Sequence, residues 1–581
     1  MNDEQGAINE RWAYQIIDLF IQQGIDYFCI APGSRSSPLI LATANHPRAK
    51  TFIHYDERGL GFHALGYAKA CRRAAVVIVT SGTAVGNLMP AVMEARASHL
   101  PMIILSADRP PELRDCGANQ TINQINLFSS FVTWQIELPC PSSDLPERFL
   151  SSTLSYAGFI THDLPAGPIQ INCMLREPLH TKDLHFPIPA PQEITYYNKT
   201  INTLSNEDLA SLSQRLSRYE SGMIFVGSLA SPSDAKAILD LAQALHWPVA
   251  CDITSSIRSH LPHELVIPYF ELIAQSHVIQ PIDCILHFGD RNVSKKISQW
   301  LSVQQADYLL VAEHTDRFDP KYRIDARYTC NISWLCNALI PFIQPEAAIL
   351  SSKLLDHSHQ ISYLLDQDIF DNDCISEPYL FYFLSHTMPD DWDLFIGNSM
   401  PVRDADTFFY PEGFRGHIFV NRGVSGIDGN LSTAAGIAAA LEHPLVVIVG
   451  DLTFMHDMNA LEQIAQSKTP IILIVINNGG GGIFSFLPIK KKEKEFETFI
   501  ATKHTRSFEA LASFVELDSF YPENTQALDL IWSELCKNPR TCMIELQTDR
   551  EDNVALHNQI IEKVKQKCSP LTPTGLIPIP H

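Results

Sequence analysis

Two apolar runs near the C-terminal end of this 581-residue chain limit what it can fold into. The run PLVVIV (Pro444–Val449) leads straight into Gly450-Asp451. The run PIILIVI (Pro470–Ile476) leads into Asn477-Asn478 and then four glycines, Gly479 to Gly482. Short, unbroken, β-branched runs suit strands buried on both faces, as in the parallel sheets of α/β proteins. Both polar pairs then fall at the carboxyl edge of the sheet, where ligands bind in such folds. Asp451 and an asparagine carbonyl are hard oxygen donors of the kind that hold Mg²⁺ beside phosphate oxygens. The glycines allow backbone to approach a diphosphate closely. Two ordinary strand ends would also account for the spacing taken alone.

The rest of the chain repeats this alternation. Ile8, Trp12, Ile16, Leu19 and Phe20 share one face of a helix that should end near Gly24, and strands are expected at 27–30, 51–55, 75–80 and 102–106. After a proline-rich linker at 176–191, strands are expected at 223–226, 248–252, 284–288 and 308–312, with a helix near 235–245. A helical connector is expected at 341–376, then strands at 394–396, 417–420, 444–449 and 470–476 and an alanine-rich helix at 431–441. The predicted fold is α/β: three doubly wound parallel-sheet domains in series. The run KKKEKEFE (490–497) reads as a solvated or mobile segment.

Composition excludes several classes. No apolar run approaches the ~18 residues of a membrane span. The opening residues MNDEQGAINE are unlike a signal peptide, and the thirteen cysteines form no C-x-x-C pair, so a reduced cytoplasmic protein is expected. A net charge of −22 disfavours nucleic acid and anionic membrane as partners, and an anionic substrate would need a local basic cluster. No G-x-G-x-x-G loop opens a helix after a strand, which weakens a nucleotide-dependent oxidoreductase reading.

Glu57, in HYDERGLGFHALGYAKA, sits at the start of a predicted helix. A carboxylate there can simply stabilise the helix dipole. His54 and His63 flank it and read as structural. The distant Gly450–Asn478 pattern, however, resembles the signature of the thiamine diphosphate-dependent enzyme family, Gly-Asp-Gly followed at a distance by Asn-Asn. It departs at Leu452, which stands where that signature has its second glycine. Further segments resemble one branch of the family, which acts in menaquinone biosynthesis. They are APGSRSSPL (31–39), DERGLGFHALGYAKA (56–70), TSGTAVGNLMPAVMEA (80–95), SADRPPELRDCGANQTINQ (106–124), FGDRNVSKK (288–296), GNSMPVRDAD (397–406) and NRGVSGIDGNLSTAAG (421–436).

The resemblance implies a pyrimidine-binding domain at 1–185, a central α/β domain at 192–345 and a diphosphate-binding domain at 370–581. It implies thiamine diphosphate and Mg²⁺ as cofactors, with Mn²⁺ as a substitute, and a homodimer or homotetramer with active sites between subunits. Glu57 would hydrogen-bond the aminopyrimidine. Asp451, Asn478 and the Gly480 carbonyl would hold the metal. Gly82, Ser399, Met400, Ser425, Gly426, Gly450, Leu452, Thr453, Ile483 and Phe484 would line the cofactor, and Ile427 would sit under its bend.

The implied reaction decarboxylates 2-oxoglutarate and adds the resulting succinyl carbanion to isochorismate in a 1,4-addition. Two dianions call for fixed guanidinium groups, because Arg binds carboxylate bidentately and stays charged. Arg35, Arg109, Arg403 and Arg422 lie in matching loops after strands, and Lys295 matches a basic contact. Ser34, Asn119 and Gln120 would supply neutral hydrogen bonds. Glu57, Gln120 and Arg35 are the catalytic candidates. Another thiamine diphosphate-dependent carboligase, a 2-oxo acid decarboxylase, or an inactive relative acting as a binding subunit are the alternatives.

Overall fold

The computed structural model describes residues 4–568 except 183–185, 187, 230, 277–278, 280 and 344–348. Parts of the expected linker (176–191) and connector (341–376) therefore lie outside the described residues. The chain forms two compact units. The first comprises 1–199, 421–444 and 453–471, and the second comprises 200–420, 445–452 and 472–581.

The first unit carries a six-stranded sheet: β1 Tyr27–Ile30, β2 Lys50–Ile53, β3 Ala75–Val79, β4 Met102–Asp108, β5 Trp134–Leu138 and β6 Pro168–Met174, in the order β2-β1-β3-β4-β6-β5. The second unit carries two sheets. One holds β7 Gly222–Val226, β8 Val249–Cys251, β9 Cys284–Phe288, β10 Asp307–Ala312 and β11 Ala326–Thr329, in the order β11-β10-β9-β7-β8. The other holds β12 Asp393–Ile396, β13 Ile418–Val420, β14 Leu445–Gly450, β15 Ile471–Asn477, β16 Asp518–Phe520 and β17 Cys542–Gln547, in the order β13-β12-β14-β15-β17-β16. The strand registers are parallel in all three sheets, as the unbroken apolar runs require. The first and third sheets share one strand order. In each, the order reverses between the first and third strands, which opens a crevice at the carboxyl edge.

Helix Glu4–Gln22 buries Trp12, Ile16, Leu19 and Phe20, the face expected for it. The alanine-rich helix runs Asn430–Ala438, ending earlier than its composition suggests. Its contact with helix Glu57–Cys71 is unusually close. A Cβ on Gly66 would clash with the Thr433 carbonyl, and one on Gly436 with the His63 carbonyl. Two glycines thus allow backbone to touch backbone within the first unit.

The strand expectations need correction. Strands β5, β6, β11, β16 and β17 were not anticipated. The lysine-rich run is largely exposed, as expected of a solvated face, with Phe496 buried, Glu497 paired with Arg550 at 2.8 Å and Lys490 paired with Glu551. His63 is structural as expected, held by the Tyr27 hydroxyl at 2.9 Å and Gln463 Oε1 at 3.1 Å. All thirteen cysteines are free. Among the described residues no helix is long and apolar enough to cross a membrane.

Candidate functional site

In the second unit, β14 and β15 are neighbours, so their polar ends come together. Asp451 opens helix Asp451–His456 and is buried. Its Oδ2 accepts from the Gly480 amide at 2.9 Å and lies 3.2 Å from His504 Nε2, while Oδ1 accepts from the Leu452 amide at 2.6 Å. Burial raises the Asp451 pKa above the ordinary aspartate value, against the opposing Gly480 hydrogen bond. Gly480 has φ +143°, and a Cβ there would come within 2.5 Å of the Ala501 carbonyl. Only glycine fits this turn.

Asn478 donates from Nδ2 to Glu377 Oε1 at 2.9 Å, and its Oδ1 is buried without a hydrogen-bond partner among the described residues. An orphaned amide oxygen beside a buried carboxylate fits a hard divalent cation. Leu452 keeps its backbone amide on Asp451, so the departure from the family signature leaves this donor set intact. Ile483 is half-buried and Phe484 exposed on the following turn, consistent with an apolar wall open to a ligand.

The same unit places Ser399 after β12 with φ +77°, an unusual conformation for a residue with a side chain and one that gathers at functional sites. Met400 starts helix Met400–Phe408, and Arg403 donates from Nη1 to the Ser399 carbonyl. Burial lowers the Arg403 pKa. Lys295 is exposed in the first turn of helix Lys295–Val303, where a cation works against the helix dipole.

In the first unit, Glu57 opens its helix with Asp56 as cap, and Asn87 Nδ2 donates to Glu57 Oε2 at 3.1 Å. The loops after β1, β3 and β4 converge. Arg109 Nη1 donates to Ser81 Oγ and, at 3.0 Å, to the Gln120 carbonyl. Gln120, with φ +55°, donates back to the Ser81 carbonyl at 2.9 Å. The Gly82 amide donates to Gln124 Oε1 at 3.1 Å. Burial, and then the nearby Arg35 charge, lowers the Arg109 pKa. Arg35 is buried, donating to the Leu175 carbonyl at 3.0 Å and pairing with the largely exposed Glu177 at 2.7 Å. Ser34 and Asn119 are exposed on the same loops.

The loop carrying Arg422, Ser425, Gly426 and Ile427 also belongs to the first unit. Arg422, Gly426 and Ile427 are half-buried, and Ser425 is exposed with φ +60°. Thr453 is buried there too. The structure thus gathers Arg35, Arg109, Gln120 and Gly82 in one unit and Asp451, Asn478 and Gly480 in the other. Sequence reasoning missed Glu94, whose buried carboxylate accepts from the Gly423 and Val424 amides at 2.8 and 2.7 Å and so fixes the Arg422–Ile427 loop. It also missed Gln124, His504 and Glu377. The one available signal was an acid inside an otherwise apolar helical stretch, as at Glu94.

Family models match the chain along most of its length. They are the N-terminal TPP binding domain of thiamine pyrophosphate enzymes (residues 11–127), the middle domain of thiamine pyrophosphate enzymes (192–396) and the C-terminal TPP binding domain (405–546). The solved structure of a benzoylformate decarboxylase from Polynucleobacter necessarius shares the fold, with a TM-score of 0.72 at 16% identity over 93% of this chain and 98% of its own. This is the fold of a thiamine pyrophosphate-dependent enzyme. More narrowly, the chain is 36% identical to a 2-succinyl-5-enolpyruvyl-6-hydroxy-3-cyclohexene-1-carboxylate synthase of Rubrobacter xylanophilus, covering 97% of this chain and 99% of that one. It is 37% identical to the synthase of that name from Chlorobaculum tepidum, covering 96% and 97%. The chain belongs to this synthase family.

Proposed function

We propose that the protein decarboxylates 2-oxoglutarate and joins the remaining succinyl unit to isochorismate by 1,4-addition, releasing CO₂ and forming 2-succinyl-5-enolpyruvyl-6-hydroxy-3-cyclohexene-1-carboxylate. Bound thiamine diphosphate supplies the electron sink for decarboxylation. The chain's residues then bind, orient and manage protons. Asp451, the Asn478 carbonyl and the Gly480 carbonyl would hold Mg²⁺, which would neutralise diphosphate charge. Glu57 holds a proton for the aminopyrimidine ring nitrogen. Ser399, Met400, Ile427, Ile483 and Phe484 would line the cofactor.

The observation that carries the substrate class is the Arg35–Arg109 pair beside Gln120, at the carboxyl edge of a sheet in a strongly acidic protein. Two adjacent guanidinium groups repel each other, and an incoming carboxylate offsets that cost. Glu177, largely exposed, can leave Arg35 when a substrate carboxylate arrives. Arg403, Arg422 and Lys295 would bind the remaining carboxylates. A homodimer or homotetramer, in which one copy supplies Glu57 and another supplies Asp451 and Asn478, completes this reading. It rests on the family resemblance.

The test is product detection. Protein supplied with thiamine diphosphate, Mg²⁺, 2-oxoglutarate and isochorismate should yield the adduct by mass spectrometry. Its absence, with both substrates intact, refutes the assignment.

A further inference from the structure

Among the described residues, the side-chain partner of Asn478 is Glu377, a residue no motif singles out. Glu377 is the first residue of helix Glu377–Thr387 and is 1% exposed. Ser376 caps that helix by accepting from the Tyr379 amide at 3.2 Å, and Pro378 stiffens its first turn. Glu377 Oε1 accepts from Asn478 Nδ2 at 2.9 Å and from Thr548 Oγ1 at 3.4 Å, while Oε2 has no partner among the described residues. A buried acid with one oxygen unsatisfied is costly to keep.

The two ends of a primary amide are nearly the same shape, and a half-turn exchanges its acceptor for a donor. With the oxygen toward the cation position, Asn478 is a hard ligand. With the NH₂ there, it cannot ligate. Ionised, or protonated on the unpartnered Oε2, Glu377 accepts through Oε1 and so pairs with the NH₂ end. The Asn478 oxygen is thereby left buried, unpartnered and turned away from Glu377.

We propose that Glu377 is a positioning residue for the metal centre, locking the Asn478 amide in its ligating orientation. This rests on the reading of Asp451 and Asn478 as metal ligands. Partners that orient a metal's ligands typically affect affinity by ten- to a hundredfold.

The test is a Mg²⁺ titration of the full-length protein in the presence of thiamine diphosphate, followed by calorimetry, with thermal unfolding as the control for folding. Glu377→Ala should weaken Mg²⁺ binding about tenfold or more, and Glu377→Gln, whose amide can meet either end of Asn478, should fall between that variant and the wild type. An aspartate has no wrong end. In an Asn478→Asp background, adding Glu377→Ala should therefore change affinity by less than about threefold, or tighten it by removing a neighbouring acid. If the alanine variant does not fold, Glu377→Leu replaces it with the same expectations. Wild-type Mg²⁺ affinity in a folded Glu377→Ala protein overturns the proposal, as does an equal loss in the Asn478→Asp background. Failure of the wild type itself to bind Mg²⁺ overturns the metal reading beneath it, a distinguishable result.

Discussion

The Gly480 amide donates to Asp451 Oδ2 at 2.9 Å, joining the glycine loop after one strand to the carboxylate that ends its neighbour. The bond fixes one carboxylate oxygen, and buried Asn478 Oδ1 has no hydrogen-bond partner among the described residues. Asp451→Asn keeps an acceptor for Gly480 and removes the charge. It is expected to weaken Mg²⁺ binding by about a hundredfold while leaving the fold intact, as read by calorimetry and circular dichroism.

In the proposed mechanism Glu57 serves the proton function and has no part in holding the metal. Glu57→Gln should retain thiamine diphosphate binding but lose turnover by about a hundredfold or more. Near-normal turnover in that variant would remove Glu57 from the mechanism.

Arg109 is braced through Nη1 by Ser81 and the Gln120 carbonyl, which leaves the rest of its planar guanidinium to bind a carboxylate. Arg109→Lys keeps the charge and loses that geometry. The expected result is a KM for the dicarboxylate substrate raised about tenfold, with thiamine diphosphate affinity unchanged. Steady-state kinetics with cofactor titration separates the two.

His63 is buried between Tyr27 and Gln463, and burial lowers its pKa to about 3. In the unfolded chain it titrates near its ordinary value of about 6.5. Between these values the unfolded state holds the extra proton, so the stability His63 contributes is complete above about 6.5 and is lost as pH falls toward 3. Denaturant midpoints should therefore fall on acidification, and His63→Gln should flatten that fall.

Gly66→Val should be among the most damaging substitutions away from the site. Its side chain would meet the Thr433 carbonyl in a backbone-to-backbone helix crossing that cannot relax cheaply. A loss of about 3 kcal/mol or more is expected, read as a lowered unfolding midpoint.

Three parallel sheets were legible because their central strands are unbroken apolar runs. The missed strands carry polar residues satisfied only in three dimensions. In β6, Gln170 donates to Ser106 at 3.0 Å and Asn172 donates to Asp108 at 2.9 Å. In β17, Glu545 accepts from Asn477 at 2.7 Å. Read locally, these residues look like surface positions. Glu94 and Glu377 were hidden for the same reason, since their partners lie hundreds or about a hundred residues away in the chain. The motif residues showed themselves because the chemistry fixes their spacing near strand ends. The residues that hold them in place are set only by packing.

The most direct measurement is CO₂ release from 2-oxoglutarate, compared with pyruvate, as isochorismate is added. Release from 2-oxoglutarate should rise with isochorismate and match its consumption one for one, with pyruvate poorly used. Efficient turnover of pyruvate that is indifferent to isochorismate would contradict the proposed function.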